Sequence, residues 1–321
     1  MNIKSLLLGS AAALAAVSGA QAADAIVAVE PEPMDYVRVC DAFGTGYFYI
    51  PGTETCLKIS GEVRATGYFG EDQDWNSDVR ARLVVEAKND SEVGVIGSYI
   101  RIQGYDYEGA TLDQGYITAG GFKVGYALTW LDDFGLPGES DFFFDNTKFD
   151  TISYTYAADA FSVGLGVDDL SNTSFGGTAG IEGMISGAMG PVSAVLYGFY
   201  DIDASEGGVA AVLSAAVGPG TLYLDGAYSS GENAYTTGTG DTAEWTVGAA
   251  YAFKATEKLT ITPGVNYYGD YNFTSNDVWA ADLLVEYQIA TGLKASADVQ
   301  YYDMDGGDDT WEGFVRLTRS F

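Results

Sequence analysis

The strongest constraint on this chain is an alternation of apolar and polar residues that recurs in segments of about ten residues. Val79, Ala81 and Leu83, for example, alternate with Arg80 and Arg82. Successive side chains of a β-strand point to opposite faces, so each segment predicts a strand with one apolar and one polar face. Sixteen strands are predicted, at 57–69, 77–88, 93–103, 112–119, 122–130, 149–157, 160–168, 180–188, 191–201, 207–217, 220–229, 243–253, 257–269, 277–289, 292–302 and 310–321.

The first residues predict export of the chain. Lys4 precedes an apolar run at 6–17, and small residues surround a cleavage position after Ala22. This order is typical of a secretory signal. A transmembrane anchor is the alternative, but the run is shorter than the ~20 apolar residues that span a bilayer. The predicted organisation is a signal peptide at 1–22, a periplasmic segment at 23–56 and a membrane domain at 57–321.

No later segment is apolar for long enough to form a membrane helix. An exported chain without such helices can still cross a membrane as a closed β-barrel, in which every backbone amide has a partner. The predicted connections alternate between short turns and long loops, as in bacterial outer-membrane barrels. The predicted fold class is therefore all-β, a transmembrane antiparallel β-barrel of 16 strands in the outer membrane of a Gram-negative bacterium. The long connections of this predicted barrel include 70–76, 104–111, 131–148, 169–179, 230–242 and 303–309. A soluble β-sandwich or solenoid is the alternative fold.

Pro263 departs from this pattern, because it lies inside a predicted strand. Proline has no amide hydrogen to donate to a strand ladder. A bulge or a displaced strand boundary is expected there.

Composition excludes several classes of function. The sequence contains no histidine, so a Ser-His-Asp or Cys-His nucleophile system and a His-ligated metal site are excluded. The net charge of −30 argues against binding of nucleic acid through its phosphates. The chain is predicted not to be an enzyme and to need no cofactor and no bound metal.

The only two cysteines, Cys40 and Cys56, flank a predicted hairpin that contains Gly44 and Gly46. In an oxidising compartment such a pair usually forms a disulfide. Two free buried thiols are the alternative.

The connection at 131–148 is unusually long and rich in both acids and phenylalanines, with Lys148 as its only base. Long connections of this kind are usually functional or disordered, and the aromatic content argues against disorder. We expect a folded constriction loop inside the barrel lumen. Its acidic residues are Asp132, Asp133, Glu139, Asp141 and Asp145.

A sixteen-stranded barrel leaves a water-filled channel, and its early strands carry a group of basic residues on the inward parity. Closure of the barrel brings the last strand next to the first and adds one more base. The predicted basic wall consists of Arg64, Arg80, Arg82, Arg101, Lys123 and Arg316. If this basic wall faces the acids of the constriction loop, the two together would set a transverse electric field across the channel. An ordinary solvated lumen with scattered ion pairs is the alternative.

Several motifs together resemble the general porins of alphaproteobacteria. They are the signal peptide, the block at 37–57 with both cysteines, the Gly-Gly-Phe-Lys-Val-Gly turn at 120–125, and the ending Phe-Val-Arg-Leu-Thr-Arg-Ser-Phe at 314–321. The resemblance runs over the whole chain and implies a homotrimer with its third outer loop, here 131–148, inside the channel. It also implies that Phe321 is the signal read by the barrel-insertion machinery and that loop 104–111 acts as a subunit latch.

The predicted function is passive diffusion of small hydrophilic solutes and ions across the outer membrane. The excess of acidic residues predicts a weak preference for cations, because the field concentrates cations at the mouth. The outer acids are expected to be solvated or, alternatively, to bind divalent cations that bridge to outer-membrane lipid and lipopolysaccharide. A substrate-selective channel and a structural or adhesive surface barrel without conductance are the other candidate functions.

Overall fold

A computed structural model describes residues 38–71, 74–138, 148–173, 175, 177–236 and 242–321. The predicted signal peptide and most of the predicted periplasmic segment lie outside the described residues. Residues 39–321 form one compact unit.

This unit consists almost entirely of β-strands. The strands are β1 Phe48–Tyr49, β2 Cys56–Gly70, β3 Asn76–Ser91, β4 Gly94–Tyr105, β5 Glu108–Ala119, β6 Phe122–Leu128, β7 Lys148–Ala157, β8 Phe161–Asp169, β9 Ala179–Met189, β10 Val192–Asp201, β11 Glu206–Val217, β12 Gly220–Ser229, β13 Ala243–Lys254, β14 Leu259–Tyr271, β15 Asn276–Ala290, β16 Leu293–Met304 and β17 Thr310–Ser320. Two short 3₁₀-helices are described, at Asp41–Phe43 and Trp130–Asp133. Within the described part of the chain, no helix has the length and apolarity to cross a membrane.

Strands β2 to β17 form a closed antiparallel barrel in which each strand pairs with its neighbours in the chain and β17 pairs with β2. At the seam, Val315 lies opposite Gly67. The backbones of Gly61 and Phe321 exchange two hydrogen bonds, at 3.1 and 3.0 Å, which extend the seam to the last residue. Closure leaves no unpaired strand edge, as a membrane requires. The predicted barrel of sixteen strands is therefore confirmed.

The two faces of the barrel differ as the alternation predicts. Val63, Val79 and Leu83 are 45, 40 and 42% exposed, whereas Arg80 is only 7% exposed. Apolar side chains on the outer surface meet lipid rather than water, and a base placed there costs roughly 2–4 kcal/mol at mid-depth. The polar parity therefore faces the lumen.

The connection predicted at 104–111 is not a long loop. Strand β4 extends to Tyr105 and β5 begins at Glu108, so only two residues separate them. The turn is held against β3, since the Asp106 amide donates to the Val79 carbonyl at 3.0 Å and the Val79 amide donates to Asp106 Oδ1 at 3.2 Å. The predicted long loop is wrong, because both strands continue past the apolar segment. The role of this turn as a subunit latch stays a prediction.

Pro263 also behaves differently from the expectation. It lies within β14 and is opposite Leu283 of β15, with no register shift at that position. On its other side the ladder to β13 skips two positions between Gly264 and Ile261 and then resumes in the same register. The proline thus interrupts one ladder locally, and the expected bulge or displaced boundary is wrong.

The predicted disulfide between Cys40 and Cys56 is present, with a Cα–Cα distance of 6.0 Å. The hairpin between them packs against the first barrel strands through Tyr47, which is 4% exposed. The Tyr47 hydroxyl donates to Glu86 Oε2 at 2.7 Å, and the Lys88 ammonium lies 5.2 Å from the ring centroid. Burial and the neighbouring Glu86 carboxylate raise the pKa of Tyr47, so its hydroxyl remains a donor.

Candidate permeation pathway

Strand register brings most of the predicted bases onto neighbouring strands of the lumen wall. Arg64 on β2 lies directly opposite Arg80 on β3. Arg101 is on β4, and Arg316 on β17 lies opposite Thr66 on β2, with its Nε 3.4 Å from Thr66 Oγ1. We call Arg64, Arg80, Arg82, Arg101 and Arg316 the arginine ladder; it spans β17 and β2 to β4.

Two acids that sequence analysis did not assign to the site are part of this wall. Glu62 accepts a hydrogen bond from Arg80 and lies 3.9 Å from Arg82 Nη1. On β5, Asp113 pairs with Arg101 and also accepts from Lys148 at 2.5 Å. Glu62 lies on the inward parity of β2, and that was its only sequence signal. Asp113 has the parity of the exposed Ile117, and it is buried because the ladder between β4 and β5 shifts register beside it. The ladder is therefore partly compensated rather than uniformly basic.

Arg64 differs from its neighbours on the ladder. Within the described part of the chain it forms no ion pair, and its Nε atom is buried without a hydrogen-bond partner. Arg80 lies opposite it on β3, and Arg316 lies two residues from Thr318, its partner on β17. Arg64 thus contributes positive charge that no described acidic side chain offsets by direct contact.

Lys123 lies apart from the ladder, on β6. Its ammonium donates to the Leu128 carbonyl at 3.0 Å. It also lies 5.7 Å from the Trp130 ring centroid and 6.0 Å from that of Tyr116. The structure therefore places Lys123 at the entrance of the constriction loop.

The constriction loop starts on one wall and crosses the lumen. The Trp130 amide donates to Glu182 Oε2 at 3.2 Å, and the Trp130 ring covers Gly164 on β8. At the other end of the described segment, Gly138 contacts the carboxylate of Asp282 on β15, with no room for a side chain. Around the sixteen-stranded ring, β6 is the fifth strand and β15 the fourteenth. Residues 129–138 thus span from one wall to nearly the opposite one.

The structure describes only part of the predicted acidic side of this loop. Asp132 is exposed. Asp133 lies in the same 3₁₀-helix. Glu139, Asp141 and Asp145 lie outside the described residues.

The barrel wall itself supplies acids that sequence analysis did not assign. Six of them are buried on the half of the barrel from β8 to β16. Arg80, the most buried of the described basic residues, lies on β3. Applying the parity rule to the later strands would have found them, because each follows or precedes an exposed apolar residue. The six are Asp168, Glu182, Asp201, Asp225, Asp282 and Asp298.

The lumen therefore has two electrostatic sides. The arginine ladder, Lys123 and Lys148 lie on β17 and β2 to β7, whereas six of the seven described buried carboxyl groups lie on β8 to β16. The exceptions are the buried Asp113 on β5 and Lys294 on β16, which pairs with Glu286. Charged rings and opposed charges in a narrow aqueous pore act on ions and orient water. Among the residues described here, no group of three or more acidic or cysteine side chains is arranged to hold a metal ion.

Comparison with known proteins agrees with this geometry. Residues 24–315 match the family model described as "Porin subfamily". Over the whole chain, the sequence is 45% identical to a putative outer membrane protein of Sinorhizobium fredii, covering 99% of that protein. It is 34% identical to the porin Omp2a of Brucella suis, with full coverage of both chains. The fold resembles OmpT of Vibrio cholerae in its trimer form, with a TM-score of 0.68 and 14% identity over 84% of this chain and 100% of that one. A closed sixteen-stranded barrel with a charged lumen and this family match show that the chain belongs to the Porin subfamily and is an outer-membrane channel rather than an enzyme.

Proposed function

We propose that this outer-membrane porin discriminates weakly among small hydrophilic solutes and ions and prefers cations. The observation that carries the proposal is the separation of charge across the lumen, with the arginine ladder facing buried carboxyl groups. The constriction loop lies between the two sides. A polar solute can exchange hydrogen bonds with such walls, whereas an apolar solute must displace oriented water.

The preference for cations follows from the balance of charge. Acidic residues number 45 and basic residues 15 in the whole chain. Glu62 and Asp113 also offset part of the ladder by direct ion pairs. Clefts lined by one sign of charge raise the local concentration of counter-ions. The excess of carboxylates therefore favours cations at the mouth of the channel.

The test is the reversal potential of the purified protein in a planar bilayer under a potassium chloride gradient. A potential of the sign set by potassium supports the proposal. A potential set by chloride contradicts it. Liposome swelling with neutral sugars then measures diffusion independently of charge, because an uncharged sugar does not respond to the field.

We also propose roles for the individual residues of the pathway. Arg64, Arg80, Arg82, Arg101, Lys123 and Arg316 would form the basic wall, and Asp132, Asp133, Glu139, Asp141 and Asp145 would add charge to the facing side. The contacts of Glu62 and Asp113 support a subdivision of the wall into compensated and uncompensated positions.

The functional unit proposed here is a homotrimer in lipid and lipopolysaccharide. Support comes from the trimeric form of the Vibrio cholerae OmpT structure, whose fold is similar. Chemical cross-linking of the purified protein in detergent tests it, with a ladder ending at three chains expected. Divalent cations would act as loosely held counter-ions of the outer acids rather than at a built site.

Phe321 would serve as the signal for the insertion machinery. It is 60% exposed and lies over Gly61 at the seam, so it is accessible on the outer face. Deletion of Phe321 should reduce the amount of assembled barrel in the outer membrane, whereas a matched Phe122→Ala change, on another exposed aromatic, should not.

A further inference from the structure

A second loop, the connection between β12 and β13, is buried where sequence analysis predicted an outer loop. Asn233, Ala234, Tyr235 and Thr236 each have 0% exposure. Residues at the tip of an outer loop are normally solvated. We call residues 230–236 the inner loop, because Tyr235 and Ala234 donate to Asp168 and Asp201, which are buried on the lumen side of the wall.

Tyr235 anchors the inner loop on the wall of β8 and β9. Its hydroxyl donates to Asp168 Oδ2 at 2.7 Å. Its ring centroid lies 5.2 Å from those of both Phe149 and Phe199. The ring also lies directly on Gly180, where a Cβ atom would overlap the hydroxyl. The tyrosine therefore has a close-fitting site with one polar and several apolar partners.

The backbone of the inner loop is held separately. The Ala234 amide donates to Asp201 Oδ2 at 3.1 Å. The Tyr235 amide donates to Asn233 Oδ1 at 2.9 Å, and Asn233 Nδ2 donates to the Gly231 carbonyl at 2.8 Å. Buried amides that are satisfied in this way favour one loop conformation.

The inner loop and the constriction loop share one apolar cluster. Ala234 and Tyr235 belong to the same buried cluster as Leu131, and Trp130 and Phe134 pack against it. The strands beneath them are neighbours, because β8 pairs with β9. A displacement of the inner loop would therefore open the cluster against which the base of the constriction loop packs.

We propose that Tyr235 is a positioning residue for the constriction, which it supports by anchoring the inner loop on Asp168. Through this contact the inner loop sets the cross-section of the channel and hence the size limit for small hydrophilic solutes. This inference rests on the proposed diffusion function.

The first test is Tyr235→Ala in the full chain, measured by single-channel conductance and by liposome swelling with neutral oligosaccharides of increasing length. We expect a larger and noisier conductance and entry of longer oligosaccharides. Tyr235→Phe keeps the ring and loses one hydrogen bond. Transient increases in single-channel conductance, which report displacement of the inner loop, should therefore become about fivefold more frequent. The control is Tyr228→Ala, because Tyr228 is 46% exposed on the outer face of β12.

The second test measures the position of the loop without any ion flow. Both native cysteines are engaged in the disulfide, so Ala234→Cys introduces a single thiol. A charged methanethiosulfonate reagent should label it slowly in the Ala234→Cys protein and rapidly when Tyr235→Ala is added. Heat-modifiable migration on a gel confirms that each variant is folded.

Rapid labelling of Ala234→Cys with Tyr235 intact would overturn the proposal. Unchanged conductance, swelling and labelling in Tyr235→Ala would overturn it as well. An inactive wild-type channel would refute the proposed diffusion function, and slow labelling would still establish the anchoring of the loop.

Discussion

Glu62 and Arg64 provide a sharp test of the charged wall, because they lie two residues apart on the same face of β2. Glu62 is paired with Arg80 and Arg82, whereas Arg64 has no ion pair with a described acid. Glu62→Gln removes one negative charge from the wall, and Arg64→Gln removes one positive charge. The two changes should therefore move ion selectivity in opposite directions.

The size of the effect follows from Coulomb's law. A unit charge about 5 Å from a permeating ion in water contributes about 0.8 kcal/mol. Screening at 0.1 M salt, with a Debye length of about 10 Å, lowers this to about 0.5 kcal/mol. The charge changes the energies of potassium and chloride by this amount in opposite directions, so the difference between the two ions changes by about 1 kcal/mol. The ratio of potassium to chloride permeability should therefore change by about fivefold. At 1 M salt the Debye length is about 3 Å, and the change should fall below about twofold.

The assay is the reversal potential in planar bilayers at low and high salt. Glu62→Gln should lower the preference for potassium, and Arg64→Gln should raise it. Arg319→Gln is the matched control, because Arg319 is exposed and its guanidinium bonds the Thr291 and Ser320 carbonyls at the end of β17. Shifts of the same sign for Glu62 and Arg64 would refute the reasoning. An Arg64→Gln shift no larger than that of Arg319→Gln would refute it too.

Two further predictions concern the constriction and an outer connection. A Cβ atom at Gly164 would lie 2.5 Å from the Trp130 ring, so Gly164→Ala should displace the constriction loop and change single-channel conductance. Gly183→Ala has no neighbour closer than 3.4 Å and should leave the conductance unchanged. The hydroxyl and the amide of Thr178 both donate to Asp203. These hydrogen bonds hold the pKa of Asp203 below its usual value. The contact should therefore be intact at pH values above the usual pKa and be lost as the pH falls through the lowered pKa. An NMR titration of Asp203 checks this, and Thr178→Val should move its midpoint upward; an unchanged midpoint would contradict the assignment.

The sequence alone was enough to predict the strands and the faces of the barrel. The reason is local: a period of two residues assigns each side chain to one face, and a charge on the lipid face is too costly to tolerate. The inward orientation of Arg80 and Arg101 follows from this rule without any knowledge of the fold. The parity rule also places Glu62 inward, although it does not say which bases it contacts. It does not place Asp113 inward, because that residue is buried through a register shift in the ladder between β4 and β5.

Other features depended on residues that are far apart in the chain. Lys148 meets Asp113 across 35 positions, and Tyr235 meets Asp168 across 67. Such contacts depend on strand register and barrel closure, which no local pattern specifies. The burial of the inner loop also depends on contacts between distant residues. The composition of this loop resembles that of an exposed outer loop, so nothing in the sequence indicated its burial.

The alternation of residues along each strand determined that this chain forms a barrel with lipid outside and water inside, since that choice depends on the hydrophobicity of neighbouring positions. Only the tertiary structure decided how the interior is filled. Two loops and the charges of both walls meet there at distances set by closure of the ring, and the balance of their contacts defines the open path.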